Sequence, residues 1–135
     1  MIDLNDDILR EDLSDSADTL QHYIHELAKQ SGWWTDLKTG KSITENPLTF
    51  SNKLCLIHSE VSECLEGDRK NLMDDKLPHR KMAEVELADV VIRAFDLAGG
   101  YNFDLAGAIV EKLAYNQIRP DHKAENRKLE GGKAF

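Results

Sequence analysis

The segment from residue 85 to residue 98 constrains the fold more than any other part of the chain. Its residues are all apolar except four charged ones, Glu86, Asp89, Arg93 and Asp96. These four stand at offsets of zero, three, seven and ten, which places them on one narrow stripe of an α-helix. A helix that is apolar everywhere else is packed on most sides, so the segment predicts a helix within an all-helical core.

Apolar residues at three- and four-residue spacing predict three further helices, and no segment has a convincing strand pattern. The four helices are expected over residues 14–31, 51–68, 80–98 and 103–119. Residues that favour helix ends lie near these bounds. In chain order, Ser14 or Ser16 starts the first helix and Gly32 ends it, Gly67 breaks the second, Gly99-Gly100 stops the third, and Asn102 caps the fourth. Residues 35–50 form a long turn-rich connection, and Pro120 ends the last helix.

These lengths predict an all-α fold, an antiparallel four-helix bundle. At 135 residues the chain is expected to form one domain, with its core at about residues 14–120 and a tail at 121–135 for which no structure is predicted. A net charge of −8 argues against a nucleic acid polymer as partner. The chain has no apolar run near the roughly 20 residues that span a bilayer, and its acidic start is unlike a secretory signal, so no membrane contact and a cytoplasmic location are expected.

A second acidic pair changes the interpretation of the charged stripe. Glu60 and Glu63 are three apart on the second helix, so they can face Glu86 and Asp89 across an antiparallel pair. Two such carboxylates about 4 Å apart repel by roughly 4 kcal/mol at an effective dielectric near 20, which a bound cation would relieve. Oxygen-only ligands favour Mg²⁺, Mn²⁺ or Ca²⁺ over zinc. The alternative is a thin solvated strip on which Arg93 pairs with Asp89.

The spacing Glu60-x-x-Glu63, then 22 residues, then Glu86-x-x-Asp89 resembles the ExxE…ExxD signature of the all-α nucleotide pyrophosphatases, which include MazG proteins, dimeric dUTPases and dCTP pyrophosphatases. LIHSEVSECLEGDRKN and EVELADVVIRAFDLAGGYNFDLAGAIVEKLAYNQIRP are similar to the helices of MazG-like proteins, and the likeness covers about residues 54–120.

The resemblance implies a MazG-like bundle that hydrolyses (deoxy)nucleoside triphosphates, with dCTP favoured, to a monophosphate and pyrophosphate. It implies that Glu60, Glu63, Glu86 and Asp89 bind Mg²⁺, with Mn²⁺ as the other candidate ion. One glutamate of the first pair, Glu63 by preference, would activate the attacking water. Relatives of this kind are dimers or tetramers, so a homodimer or homotetramer is expected.

Further residues are candidates for holding the substrate. Lys112, Asn116 and Arg119 share a face of the fourth helix, and the resemblance implies that they hold the triphosphate, although the end of a helix also suits an ordinary solvated arginine. Trp33 and Trp34 could stack a base or simply plug the core. From the tail, Lys133 and Phe135 could close over the substrate.

Two other functions fit a helical bundle. One is a non-catalytic protein-interaction module, which would be indifferent to Mg²⁺. The other is a ferritin-like di-iron protein, but that class uses Glu-x-x-His pairs, and no glutamate here has a histidine three residues on.

Overall fold

The computed structural model describes residues 2–133, and over that range the chain is all-helical, which confirms the predicted fold class. The helices are α1 (Asp7–Gln30), α2 (Thr49–Lys70), α3 (Met82–Gly100), α4 (Leu105–Ile118) and the short α5 (Ala124–Arg127), with 3₁₀ turns at Ile43–Glu45 and Pro120–His122. None of these helices is long and apolar enough to cross a membrane. Phe135, a candidate to close over the substrate, lies outside the described residues.

Contacts divide the chain into two compact units. One combines the described parts of residues 1–19 and 104–135, and the other comprises Leu20–Phe103. Helix α1 contributes to both units, α2 and α3 belong to the second, and α4 and α5 belong to the first. The four predicted helices are divided between the two units. The expectation that they form one domain, an antiparallel four-helix bundle, therefore stays a prediction.

Helix α1 begins two turns before the predicted start. The carboxylate of Asp6 accepts hydrogen bonds from the backbone N–H groups of Ile8 (3.0 Å) and Leu9 (3.4 Å), so it caps the helix. The hydroxyl of Ser16 instead donates to the carbonyl of Asp12 inside the helix, at 2.8 Å. The expected cap at Ser14 or Ser16 was therefore wrong, because an acidic side chain upstream supplied the acceptor.

Of the three glycines that were expected to end or interrupt helices, Gly67 and Gly99 lie inside α2 and α3, whereas Gly100 is the last residue of α3, at the predicted stop. A Cβ on Gly67 would come within 2.9 Å of Met82, and one on Gly99 within 2.6 Å of His25. A Cβ on Gly100 would come within 1.9 Å of the Trp34 ring. All three glycines therefore permit close packing between elements, and Gly67 does not end α2.

The ends of α2 and α4 also differ from expectation. Helix α2 ends at Asn71, whose φ of 51° lies in the left-handed region that terminates helices. Helix α4 is capped by Asp104 and not by Asn102, because the Asp104 carboxylate accepts the backbone N–H of Gly107 at 2.7 Å.

In the unit formed by Leu20–Phe103, α2 and α3 run antiparallel. Three contacts in opposite chain order establish this direction: Lys53 with Asp96, Glu60 with Arg93, and Gly67 with Met82. The second half of α1 packs beside α3, where His25 meets Gly99. The antiparallel pairing brings the middle of α2, with its two glutamates, against the middle of α3.

The other unit is centred on α4, with Ala106 and Val110 almost fully buried. The Gln117 side chain binds the N-terminal segment, accepting from Leu4 N–H at 3.3 Å and donating to the Ile2 carbonyl at 3.1 Å. The tail, for which no structure was predicted, forms a 3₁₀ turn and α5. Ion pairs hold it in place, since Asp121 binds Arg119 and Lys133.

Replacing Gly100 by alanine should destabilise the protein, although alanine favours helices more than glycine does. The added methyl group would overlap the Trp34 ring, and such overpacking costs about 1–3 kcal/mol. Thermal unfolding followed by far-UV circular dichroism measures the change. In a Trp34→Leu background the same alanine should cost clearly less, and an equal cost in both backgrounds would contradict the proposed overlap.

Candidate metal centre

Three of the four predicted carboxylates converge. Glu60, Glu63 and Glu86 each place one carboxylate oxygen so that the three atoms lie within 4.8 Å of one another. Glu60 and Glu63 reach this point because they lie three residues apart on α2, and Glu86 reaches it from the antiparallel α3. We call these three residues the acidic cluster.

Two members of the acidic cluster are buried and the third is exposed to solvent. Glu60 and Glu86 are only 6% and 7% exposed, whereas Glu63 is exposed. Burial, a hydrogen bond with Glu60 and the charges of Glu63, Glu60 and Asp89 raise the pKa of Glu86 to about 7. Burial and the acidic neighbours therefore disfavour the charged form of Glu86.

Asp89, the fourth predicted ligand, lies one turn further along α3. Within residues 2–133 it does not belong to the group of oxygens that converge. Its pKa is raised by burial and by the charge of Glu60, while Arg93 lowers it. Asp89 thus interacts electrostatically with the cluster, but its carboxylate oxygens do not converge with those of the other three residues.

Arg93 supplies a positive charge to the cluster. Its Nε donates to Glu60 Oε1 at 2.7 Å, so the ion pair crosses between α3 and α2. The alternative interpretation, in which Arg93 pairs with Asp89 along α3, is therefore wrong, because the ion pair of Arg93 is with Glu60. The guanidinium neutralises part of the charge on Glu60 and leaves Glu63 and Glu86 without an ion pair in the described chain.

The donor set of the acidic cluster fits a hard divalent cation. All its donors are carboxylate oxygens, which Mg²⁺, Mn²⁺ and Ca²⁺ prefer and zinc does not. Glu63 and Glu86 have no ion pair in the described chain, so their oxygens are available to such an ion.

A cavity of about 450 Å³ adjoins the acidic cluster and is lined by α1, α2 and α3; we call it the three-helix cavity. Asp89 and Arg93 line it together with apolar residues of all three helices, Ile24, Leu27, Ala28, Leu56 and Ile92. Trp33, 70% exposed, also lines this cavity. An apolar cavity with a few charged groups is typical of a small-molecule site.

Trp34 is a structural residue and is not available for stacking a base. It is only 7% exposed, and its indole N–H donates to Asp96 at 2.6 Å. Lys53 Nζ lies 4.0 Å from the centroid of its ring, and Gly100 packs against the ring. Of the two tryptophans proposed for stacking, only Trp33 remains accessible.

A buried polar network around Asp96 was not anticipated from the sequence. Asp96 accepts from Trp34, from His25 Nδ1 at 3.0 Å and from Lys53 Nζ at 3.1 Å. The network joins α1, α2 and α3. One signal was present: Lys53 precedes Glu60 by two helical turns, and Asp96 lies on the same stripe as Glu86.

The three residues predicted to hold the triphosphate lie in the other unit. Lys112 is exposed, with Nζ 5.0 Å from the centroid of the Tyr115 ring. Arg119 makes a two-pronged ion pair with Asp121, at 2.9 and 2.6 Å. Asn116 Oδ1 is buried without a hydrogen-bond partner in the described chain. Their common role in holding a phosphate stays a prediction.

Comparison of the chain with models of protein families, with curated proteins and with solved structures found no match.

Proposed function

We propose that the protein is a Mg²⁺-dependent pyrophosphohydrolase that cleaves (deoxy)nucleoside triphosphates into a monophosphate and pyrophosphate. The observation that carries the proposal is the convergence of Glu60, Glu63 and Glu86 within 4.8 Å on two antiparallel helices. The spacing that resembles the ExxE…ExxD signature of MazG-like proteins supports the same reaction.

In this proposal the acidic cluster and Asp89 hold Mg²⁺, or Mn²⁺ in its place. Bound Mg²⁺ supplies charge neutralisation on the phosphate oxygens. Glu63 takes the proton of the attacking water, because it is the exposed member of the cluster while Glu60 is already bound to Arg93. The oxygen of that water bonds to the α-phosphorus, and pyrophosphate leaves with the electrons of the broken P–O bond.

The three-helix cavity takes the nucleoside. Asp89 and Arg93 line it beside the acidic cluster, so a triphosphate at the cluster would direct its sugar and base toward the apolar walls. The exposed ring of Trp33 offers a surface for base stacking. Deoxynucleotides such as dCTP are the proposed substrates. The role of Lys112, Asn116 and Arg119 in holding a phosphate rests on the resemblance alone.

Exposed apolar residues favour an assembly of identical chains. Leu54, Val61 and Leu65 on α2, and Leu87 and Val91 on α3, are each 46–60% exposed. Burying them against a second copy would remove apolar surface from water, so we propose a homodimer or homotetramer. The same residues support the second candidate function, a helical interaction module that binds another protein without catalysis.

Incubating the protein with each deoxynucleoside triphosphate and Mg²⁺ tests the proposed function. We expect equal amounts of monophosphate and pyrophosphate, separated by anion-exchange chromatography, and no product after chelation. Mg²⁺ should also raise the melting temperature, because a ligand that binds only the folded state stabilises it.

The control compares two glutamates of α2. Glu63→Gln should abolish turnover while keeping the helical signal, whereas Glu66→Gln, at a half-buried residue that pairs with Arg69 and Lys70, should leave turnover unchanged. Release of orthophosphate, or no turnover of any nucleotide, would refute the proposed reaction. A melting temperature indifferent to Mg²⁺ would favour the interaction module.

A further inference from the structure

Lys53 lines two cavities of the unit formed by Leu20–Phe103. Of the described residues that these two cavities share, it is the one with a charged hydrogen-bond donor. It borders the three-helix cavity and a second cavity of about 470 Å³ that is formed with residues 36–46 and the start of α2. Its side chain is only 18% exposed, so its ammonium group is largely withdrawn from water. Such a group binds strongly to any acceptor that reaches it.

The bonds of Lys53 leave part of its donor capacity unused. An ammonium group carries three N–H donors. One is used by Asp96 Oδ2 at 3.1 Å, and the ring of Trp34 lies below the group with its centroid at 4.0 Å. Lys53 makes no further hydrogen bond or ion pair within residues 2–133, so one donor remains for a ligand.

Asp96, in contrast, uses most of its acceptor capacity within the network. Its Oδ1 accepts from His25 and Trp34, and its Oδ2 accepts from Lys53. At this point Lys53 therefore offers a hydrogen-bond donor to the three-helix cavity. A ligand group that fits it is an acceptor such as a carbonyl oxygen.

We propose that Lys53 determines substrate specificity by donating to a carbonyl oxygen of the nucleobase in the three-helix cavity. The inference rests on the proposed function, because it takes the ligand to be a nucleotide. The substrate class is then nucleotides whose base carries a carbonyl group, namely cytosine, uracil, thymine and guanine. Adenine offers only ring nitrogens and no carbonyl oxygen as acceptors, and is disfavoured.

The base enters this cavity and not the second one for two reasons. Its walls are mostly apolar, with Leu27, Leu56 and Ile92 among them, which suits the faces of a base. It also contains Asp89 and Arg93 next to the acidic cluster, whereas the second cavity is lined mainly by polar residues of the loop.

Binding of deoxynucleosides without phosphate tests this role. The side-chain N–H resonances of the two tryptophans report binding in ¹⁵N-labelled protein, because Trp33 lines the cavity and Trp34 contacts Lys53. The unmodified protein should bind deoxyuridine and deoxycytidine about ten-fold or more tightly than deoxyadenosine, the effect expected for a hydrogen bond to a charged donor. Equal affinities for all three would overturn the proposal.

Lys53→Met removes the donor and keeps the aliphatic stem. It should weaken binding of deoxyuridine and deoxycytidine about ten- to one-hundred-fold and leave deoxyadenosine unchanged. Lys53→Gln, which retains an N–H donor, should restore part of the preference. Lys70→Met, at an exposed residue of the same helix, is the matched control and should change none of these affinities.

The outcomes separate this inference from the proposed function. If deoxynucleosides bind with the expected preference but no triphosphate is hydrolysed, the reaction is wrong and the role of Lys53 stands. If triphosphates are hydrolysed but Lys53→Met weakens the binding of all deoxynucleosides equally, or of none of them, the proposed reaction stands and the proposed role of Lys53 is wrong. The comparison on the unmodified protein remains decisive even where Lys53→Met does not fold.

Discussion

Glu86→Gln should abolish Mg²⁺-dependent turnover and at the same time make the protein more stable when no metal is added. Residues that only orient a metal ligand contribute about 10- to 100-fold to affinity or activity, so loss of a direct ligand should reduce turnover by more than about 100-fold. The gain in stability follows from the buried carboxyl of Glu86, which faces Glu60 and Glu63. A neutral amide of the same shape removes that repulsion.

The pH dependence gives the sign of the stability effect. In the folded protein without metal, the pKa of Glu86 is raised to about 7 from an ordinary value of 4.5. Below pH 4.5 the residue is protonated in both states and costs nothing. Between pH 4.5 and 7 the unfolded chain releases the proton while the folded chain keeps it, so stability falls as pH rises, by at most about 3 kcal/mol above pH 7.

Thermal melts of Glu86→Gln and of the unmodified protein from pH 4 to pH 8, with EDTA and then with Mg²⁺, measure both effects. With EDTA, the melting temperature of the variant should be higher than that of the unmodified protein at pH 8 and equal to it at pH 4. Mg²⁺ should raise the melting temperature of the unmodified protein only. Glu84→Gln is the control, since Glu84 is exposed on the same helix and pairs with Arg80. A variant that melts lower than the unmodified protein at pH 8 would contradict the account of the acidic cluster.

Asp96→Ala should have the largest effect on folding. It leaves the Lys53 ammonium, the Trp34 indole N–H and His25 without their common acceptor in a buried place. Removing one partner of a buried ion pair typically costs about 3–5 kcal/mol, because the remaining charge is uncompensated. For a chain of this size the melting temperature should fall by roughly 10 °C.

Two comparisons isolate that effect. Asp96→Asn keeps the shape and one acceptor but turns an amide N–H₂ toward a neighbouring donor, so its cost should be intermediate. Asp68→Ala changes an exposed aspartate of α2 and should stay within about 0.5 kcal/mol of the unmodified protein. Equal melting temperatures for Asp96→Ala and Asp68→Ala would refute the structural role of the Asp96 network.

The acidic cluster could be predicted from the sequence because its geometry depends on helical period alone. Glu60 and Glu63 are fixed on one side of α2 by their spacing, and Glu86 follows once α3 runs antiparallel. Asp89 has the same spacing from Glu86 but does not reach the same point, because convergence also depends on how far α3 is displaced along α2. No local pattern specifies that displacement.

The helix ends and the Asp96 network depend on contacts that no local pattern encodes. A glycine near the end of a helical pattern usually marks a stop, and α3 does end at Gly100, but the sequence does not show that the Trp34 ring occupies the space of the missing side chain there. Similarly, Trp34 was a candidate for base stacking until its N–H proved to be bound to Asp96, 62 residues later in the chain. Both outcomes depend on the position at which the turn after α1 meets α3.

The ion pair between Arg93 and Glu60 has a consequence for the proposed metal site. A guanidinium of the chain itself links the two acidic helices, so the pairing of α2 with α3 has a stabilising contact that is independent of any ion. In the proposed function, an ion that binds Glu60 would displace Arg93 from it. The guanidinium released by that exchange would lie at the edge of the three-helix cavity, where it would neutralise charge on the proposed substrate.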